Sequence, residues 1–145
     1  MKQSRSTDYI NGLKMGIPIG IGYLAVSFSL GITAKKAGLT GFQAALTSLL
    51  LNASAGEYAA FALIAANAGY FEIAVMEFIA NARYLLMSCA LSQKLSDKAR
   101  LPHRMFIGVA VTDEMFGVSM SRLDKIGPFF YFGMMSVAMP CWSLG

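Results

Sequence analysis

Three windows of 20 residues each, Met15 to Ala34, Ala37 to Gly56 and Ile126 to Gly145, contain no Asp, Glu, Lys or Arg. A helix that crosses the ~30 Å hydrocarbon core of a bilayer needs about 20 predominantly apolar residues. Each window is long enough for one crossing. In lipid every backbone N–H and C=O must be satisfied within the protein, which leaves helices and closed barrels as the spanning structures. Unbroken apolar runs of this length select the helix. Charged residues make up 14% of the chain, against about a quarter in a soluble domain. Such a composition excludes a disordered chain and a disulfide-stapled secreted domain. An all-α, polytopic membrane helical bundle is the expected fold, with residues 1–145 as a single transmembrane domain.

The net charge of +4 would suit nucleic acid only if the bases formed a stripe. Instead Lys2, Arg5, Lys14, Lys35, Lys36, Lys94, Lys98, Arg100, Arg104, Arg122 and Lys125 fall in the gaps between apolar runs, as in loops beside membrane helices. No nucleic-acid partner is expected. The stretch Lys94 to Arg104 is the most basic, which predicts a cytoplasmic loop. Residues 15–34 exceed the 7 to 15 apolar residues of a secretory signal, so they read as an uncleaved first membrane helix. Cys89 and Cys141 lie in apolar segments, where a small buried thiol is the expectation.

About five hydrophobic segments are expected, one or two of them broken or re-entrant. The first covers about 13–34, after a polar start in which Thr7 or Asp8 caps a helix from near Tyr9. Its Gly16, Gly20 and Gly22 suit close helix packing, and Pro18 suits a kink, or alternatively a broken helix. The second, about 39–68, would be roughly 45 Å long as one helix, too long for a single straight span. Its small and polar residues Asn52 to Glu57 predict a break there, with a long tilted helix as the alternative. Segments at about 73–93, 105–121 and 127–145 follow. The last stops while still apolar, which reads as a fragment, the N-terminal part of a longer chain.

Ionisable groups inside these segments are the functional candidates, because a charge at a helix centre costs about 2.5 to 3.5 kcal/mol. Glu77, Asn81, Tyr84 and Ser88 recur every three or four residues and share one helical face. Arg83 lies about 160° round from Asn81 and about 120° from Glu77, so its partner is expected on another segment, at Glu57, Asp113 or Glu114. Two readings stay open. The ions pair to hold the bundle together, or they line an aqueous cavity in which Arg83 and an acid meet a zwitterion. His103 reads as a solvated loop histidine. No phosphate loop, nucleophile elbow or metal-ligand spacing is present, so no enzyme, metal or cofactor is expected.

At these residues the sequence resembles the bacterial branched-chain amino acid permeases of the azaleucine-resistance (AzlC) type. The resemblance is carried by Gly16-Ile17-Pro18-Ile19-Gly20, Ala53-Ser54-Ala55-Gly56-Glu57-Tyr58, Asn81-Ala82-Arg83-Tyr84 and Thr112-Asp113-Glu114-Met115-Phe116. Two positions depart from the pattern: Tyr84 stands where the family often has His, and Glu57 where it often has Gln. The resemblance implies export of branched-chain amino acids across the bacterial inner membrane, with a small AzlD-type membrane subunit as partner. Joined to the reading of the residues, it makes Arg83, Asn81, Glu57 and Gly56 the expected substrate-binding group. Asp113, Glu114 and Glu77 are the expected proton-coupling or ammonium-binding group. A non-transporting membrane scaffold or sensor with structural ion pairs is the alternative, and a channel is disfavoured by the lack of a filter-like stretch.

Overall fold

The structure, a computed structural model, describes residues 5–97 and 99–145; the basic residues Lys2 and Lys98 lie outside them. Seven helices are found among the described residues: α1 (Arg5–Lys36), α2 (Gly41–Leu51), α3 (Ser54–Ala65), α4 (Tyr70–Lys94), α5 (Leu101–Val109), α6 (Asp113–Ser121) and α7 (Pro128–Leu144). The chain is an all-α membrane helical bundle, and its helices α1 and α4 are each long and apolar enough to cross a membrane. Their exposed side chains include Ile17, Ile21, Phe28, Phe78, Ile79 and Leu86. That many exposed large apolar groups would be a liability in water but suit a lipid-facing surface.

α1 continues as one helix through Pro18 to Lys36, so the broken-helix alternative for the first segment is not what forms. Thr7 and Asp8 are also inside this helix, with Asp8 in its first turn, where a carboxylate suits the positive end of the helix dipole. The interruption falls instead between α2 and α3. α2 starts with a capping box at Thr40: the Gln43 N–H donates to Thr40 Oγ1 at 3.3 Å and the Thr40 N–H to Gln43 Oε1 at 2.8 Å. It ends at Asn52, which takes the left-handed conformation (φ 46°), and Ala53 is extended before α3 begins. Asn tolerates this conformation better than most residues.

A second interruption corrects the expectation of one continuous segment over 105–121. α5 stops at Val109, Thr112 is extended, and α6 starts at Asp113. The local cause is a helix cap: Thr112 Oγ1 accepts from the Met115 N–H at 3.4 Å. Asp113 and Glu114 then occupy the first turn of α6, where the helix dipole favours carboxylates. At nine residues each, α5 and α6 are roughly 13 Å long, so neither alone crosses ~30 Å.

The chain divides into two compact units, Met1–Gly20 with Tyr84–Ala138, and Ile21–Arg83 with Met139–Gly145. In the first, α1 and α7 approach closely at glycines. A Cβ built on Gly16 would lie 2.9 Å from the Met134 carbonyl oxygen, and Cβ atoms on Gly12 and Gly133 would fall on the carbonyls of Phe130 and Tyr9. Gly16 is thus used as the sequence suggests, whereas Gly22 faces open space. Gly133→Val should cost at least about 2 kcal/mol, because the neighbour is rigid backbone. Thermal unfolding of the purified full-length protein, beside Gly22→Ala as a neutral control, measures this.

The same unit contains the basic stretch. Helix α4 ends at Lys94 and α5 already starts at Leu101, and an isolated bridge joins Leu95 to Ile126. Arg104 closes the loop by donating to the carbonyls of Ala99, at 3.1 Å, and Ser92. His103 is not a solvated loop residue. It sits in the first turn of α5, half-buried, accepts from the Arg100 N–H at 3.3 Å and faces the rings of Phe129 and Phe132. Cys89 is exposed rather than buried, and Cys141 is half-buried.

Candidate functional site

The unit made of Ile21–Arg83 and Met139–Gly145 holds a carboxylate with no exposed surface, Glu57. It lies one turn inside α3, and Ser48 lies one turn before the end of α2. Nine residues of continuous helix would separate the two by about 13.5 Å. The bend at Asn52 and Ala53 instead brings Ser48 Oγ to 2.7 Å from Glu57 Oε2, to which it donates. The other oxygen, Oε1, accepts from Trp142 Nε1 at 2.8 Å. Both oxygens therefore have neutral donors at hydrogen-bonding distance. Such satisfaction is what a buried carboxylate requires.

Trp142 is held in turn by Tyr23, whose ring meets it edge-on with centroids 4.9 Å apart. Ser27 ties α1 to the end of α7, donating to the Tyr23 carbonyl at 2.6 Å and the Cys141 carbonyl at 3.2 Å. Tyr58, one residue beyond Glu57, donates its hydroxyl to Ser29 Oγ at 2.7 Å. These contacts fix the first turn of α3 against α1 and α7.

Beside Glu57, Gly56 is buried and faces α4. A Cβ there would lie 2.7 Å from Glu77 Oε2 and 3.2 Å from Asn81 Nδ2. Glycine lets the Glu77 and Asn81 side chains of α4 lie this close to α3. Asn81 Nδ2 donates to Glu77 Oε2 at 2.8 Å, which joins the two polar residues of one α4 turn. Their remaining oxygens, Glu77 Oε1 and Asn81 Oδ1, are buried and without a hydrogen-bond partner, and so is Asn52 Nδ2 at the bend.

Of the expected site residues, Gly56, Glu57, Glu77 and Asn81 are thus gathered around the α2–α3 bend. Arg83 belongs to the same unit but is exposed, on the side of α4 that helical geometry sets away from Asn81. Glu57's two oxygens accept from Ser48 and Trp142. Asp113, half-buried, and Glu114, exposed, open α6 in the other unit. Ser88, from the polar face of α4, donates to the Gly108 carbonyl at 2.9 Å near the end of α5.

Three residues of the site escape sequence reasoning: Ser48, Tyr23 and Trp142. Trp142 is the chain's one tryptophan, and a lone indole N–H in an apolar run needs an acceptor somewhere. Nothing in the sequence says that the acceptor lies 85 residues earlier. Among the described residues no group of three or more His, Cys, Asp or Glu is placed to hold a metal ion.

The sequence profile described as AzlC protein matches residues 18–145. An uncharacterized membrane protein of Archaeoglobus fulgidus is 32% identical over 122 residues, which cover 84% of this chain and 53% of that protein. The inner membrane protein YgaZ of Escherichia coli K12 is 22% identical over 120 residues, 83% of this chain and 49% of YgaZ. An uncharacterized membrane protein of Helicobacter pylori J99 is 26% identical over 116 residues, 77% of this chain and 50% of that protein. The chain spans about half the length of the curated relatives it matches. No solved structure matches.

Proposed function

The chain belongs to the AzlC protein family, a membrane family associated with transport, and from that premise we propose that it is part of a secondary transporter exporting branched-chain amino acids across the bacterial inner membrane. The observation that carries the reading is the α2–α3 bend. It is a helix interruption with a buried carboxylate, a cradling glycine and bare polar atoms. Irregular backbone at membrane depth is tolerated where it is covered by protein or lines a cavity, and discontinuous helices of this kind build substrate and ion sites in transporters.

In this proposal Gly56, Glu57 and Asn81 shape the substrate site, with Glu57 acting through the network that holds the bend. Arg83 meets the substrate carboxylate at another station of the path, since its face of α4 differs from that of Asn81. Asp113 or Glu114 carries the coupling proton. The loop 94–104 is cytoplasmic, and the partner is a small AzlD-type membrane subunit. Valine efflux from loaded cells tests the proposal with the full-length permease and its small subunit. Arg83→Ala and Asp113→Asn are each expected to cut efflux at least tenfold (~1.4 kcal/mol per decade) at matched expression. Wild-type efflux from both variants would refute these assignments.

The alternative, a non-transporting scaffold or sensor, draws support from the closed hydrogen-bonding of Glu57, which a purely structural carboxylate would also show. It predicts a dry bend. Cysteines placed at Ser54 and Tyr58 would then resist water-soluble maleimides, whereas a transport site admits them.

A further inference from the structure

Two acceptor atoms at the α2–α3 bend, Glu77 Oε1 and Asn81 Oδ1, are buried and have no hydrogen-bond partner. The bond from Asn81 Nδ2 to Glu77 Oε2, at 2.8 Å, sets which atom of each group is left over, and in both it is an oxygen. Buried acceptors left bare are costly, so an orphan of this kind calls for an explanation. A single ligand that satisfies both must donate hydrogen bonds and carry positive charge to match the carboxylate.

A primary ammonium meets these conditions: three N–H donors, no acceptor and one positive charge on a small group. A guanidinium is a wide planar fork and suits a bidentate carboxylate better. Mg²⁺ and Ca²⁺ take six or more oxygens, which two free acceptors do not supply. Glu57 is not an equivalent site, since Ser48 and Trp142 already occupy its two oxygens.

We propose that Glu77 and Asn81 bind the ammonium group of the exported amino acid, with Gly56 letting their side chains lie against the first turn of α3. This assignment rests on the export reading and narrows it, since it takes the ammonium away from Asp113 and Glu114. The site then discriminates by the α-amino group, so an acid with the same side chain and a 2-oxo group in its place is a poor ligand.

Binding of radiolabelled valine and of the matching branched 2-oxo acid to purified full-length protein tests this. Wild type is expected to bind valine more tightly than the 2-oxo acid. Glu77→Gln is expected to weaken valine about 10- to 100-fold, the range of a lost charged hydrogen bond, while leaving 2-oxo acid affinity within about twofold (~0.4 kcal/mol). Unchanged binding of the 2-oxo acid also shows that the variant is folded. Asn81→Leu, which removes the second acceptor, is expected to act in the same direction and serves if Glu77→Gln does not fold. Wild-type valine affinity in both variants would overturn the ammonium assignment and leave export standing. Failure of wild type to bind valine at all would overturn both.

Discussion

Glu57→Ala should destabilise the full-length protein by about 3–5 kcal/mol, whereas Glu57→Gln should stay within about 1 kcal/mol of wild type. Alanine removes both acceptors at a site with no exposed surface. Ser48 can turn its hydroxyl back to a carbonyl of its own helix, so much of its share is recovered. Trp142 cannot do this, because an indole has one donor and no second geometry, and its N–H is left buried at a cost of about 1–3 kcal/mol. The emptied volume adds a cavity cost of about 2 kcal/mol. Glutamine keeps an oxygen for Trp142 and offers an amide N–H to Ser48 Oγ, so the geometry at 2.8 and 2.7 Å survives. Thermal unfolding in one detergent, with all variants in parallel, decides the matter. Equal midpoints for alanine and wild type would mean that the Glu57 network does not hold the bend.

Gly56→Val should cut export at least tenfold while the protein still reaches the membrane. A single Cβ at this position would already stand 2.7 Å from Glu77 Oε2, and valine adds two further methyl groups that cannot rotate away. The flexible end of Glu77 can move aside, so folding is affected less than geometry. What is lost is the register between Glu77, Asn81 and the first turn of α3. A displacement of about 1 Å in a site that must hold its ligand in one pose commonly costs tenfold or more in rate. Valine efflux from loaded cells should therefore fall at least tenfold, with Gly22→Ala unaffected because nothing lies within 4 Å of that position.

These expectations draw on different layers of information. The membrane character of the chain is legible in the charge-free windows, since the length of an apolar run is a local property. The polar face of α4 is equally legible, because Glu77 and Asn81 are four residues apart on one helix. The interruption at Asn52 and Ala53 falls at the edge of the small, polar stretch that announces it. The second interruption was hidden: Ala110 and Val111 are apolar, and hydropathy averages over a three-residue break. Its one local signal is the order Thr112-Asp113-Glu114, a helix-start pattern, which reads as two mid-span carboxylates when only charge is counted.

The rest was not legible because it is non-local. Trp142 reaches Glu57 across 85 positions, and Ser48 reaches it only because the chain bends. A sequence shows that Glu57 is an ion in an apolar segment and calls it a candidate ligand. The structure shows that both its oxygens are occupied and that the open acceptors are on Glu77 and Asn81 instead. In the proposed reading the ammonium therefore meets α4, at Glu77 and Asn81, and every residue involved is visible in the sequence.

Direct binding of radiolabelled valine to the purified full-length protein shows whether an amino acid binds at the α2–α3 bend. Wild type should bind valine saturably, and Gly56→Val, matched for folded fraction by size-exclusion profile, should bind none above background. Equal saturable binding by both proteins would place the amino acid elsewhere and contradict the account.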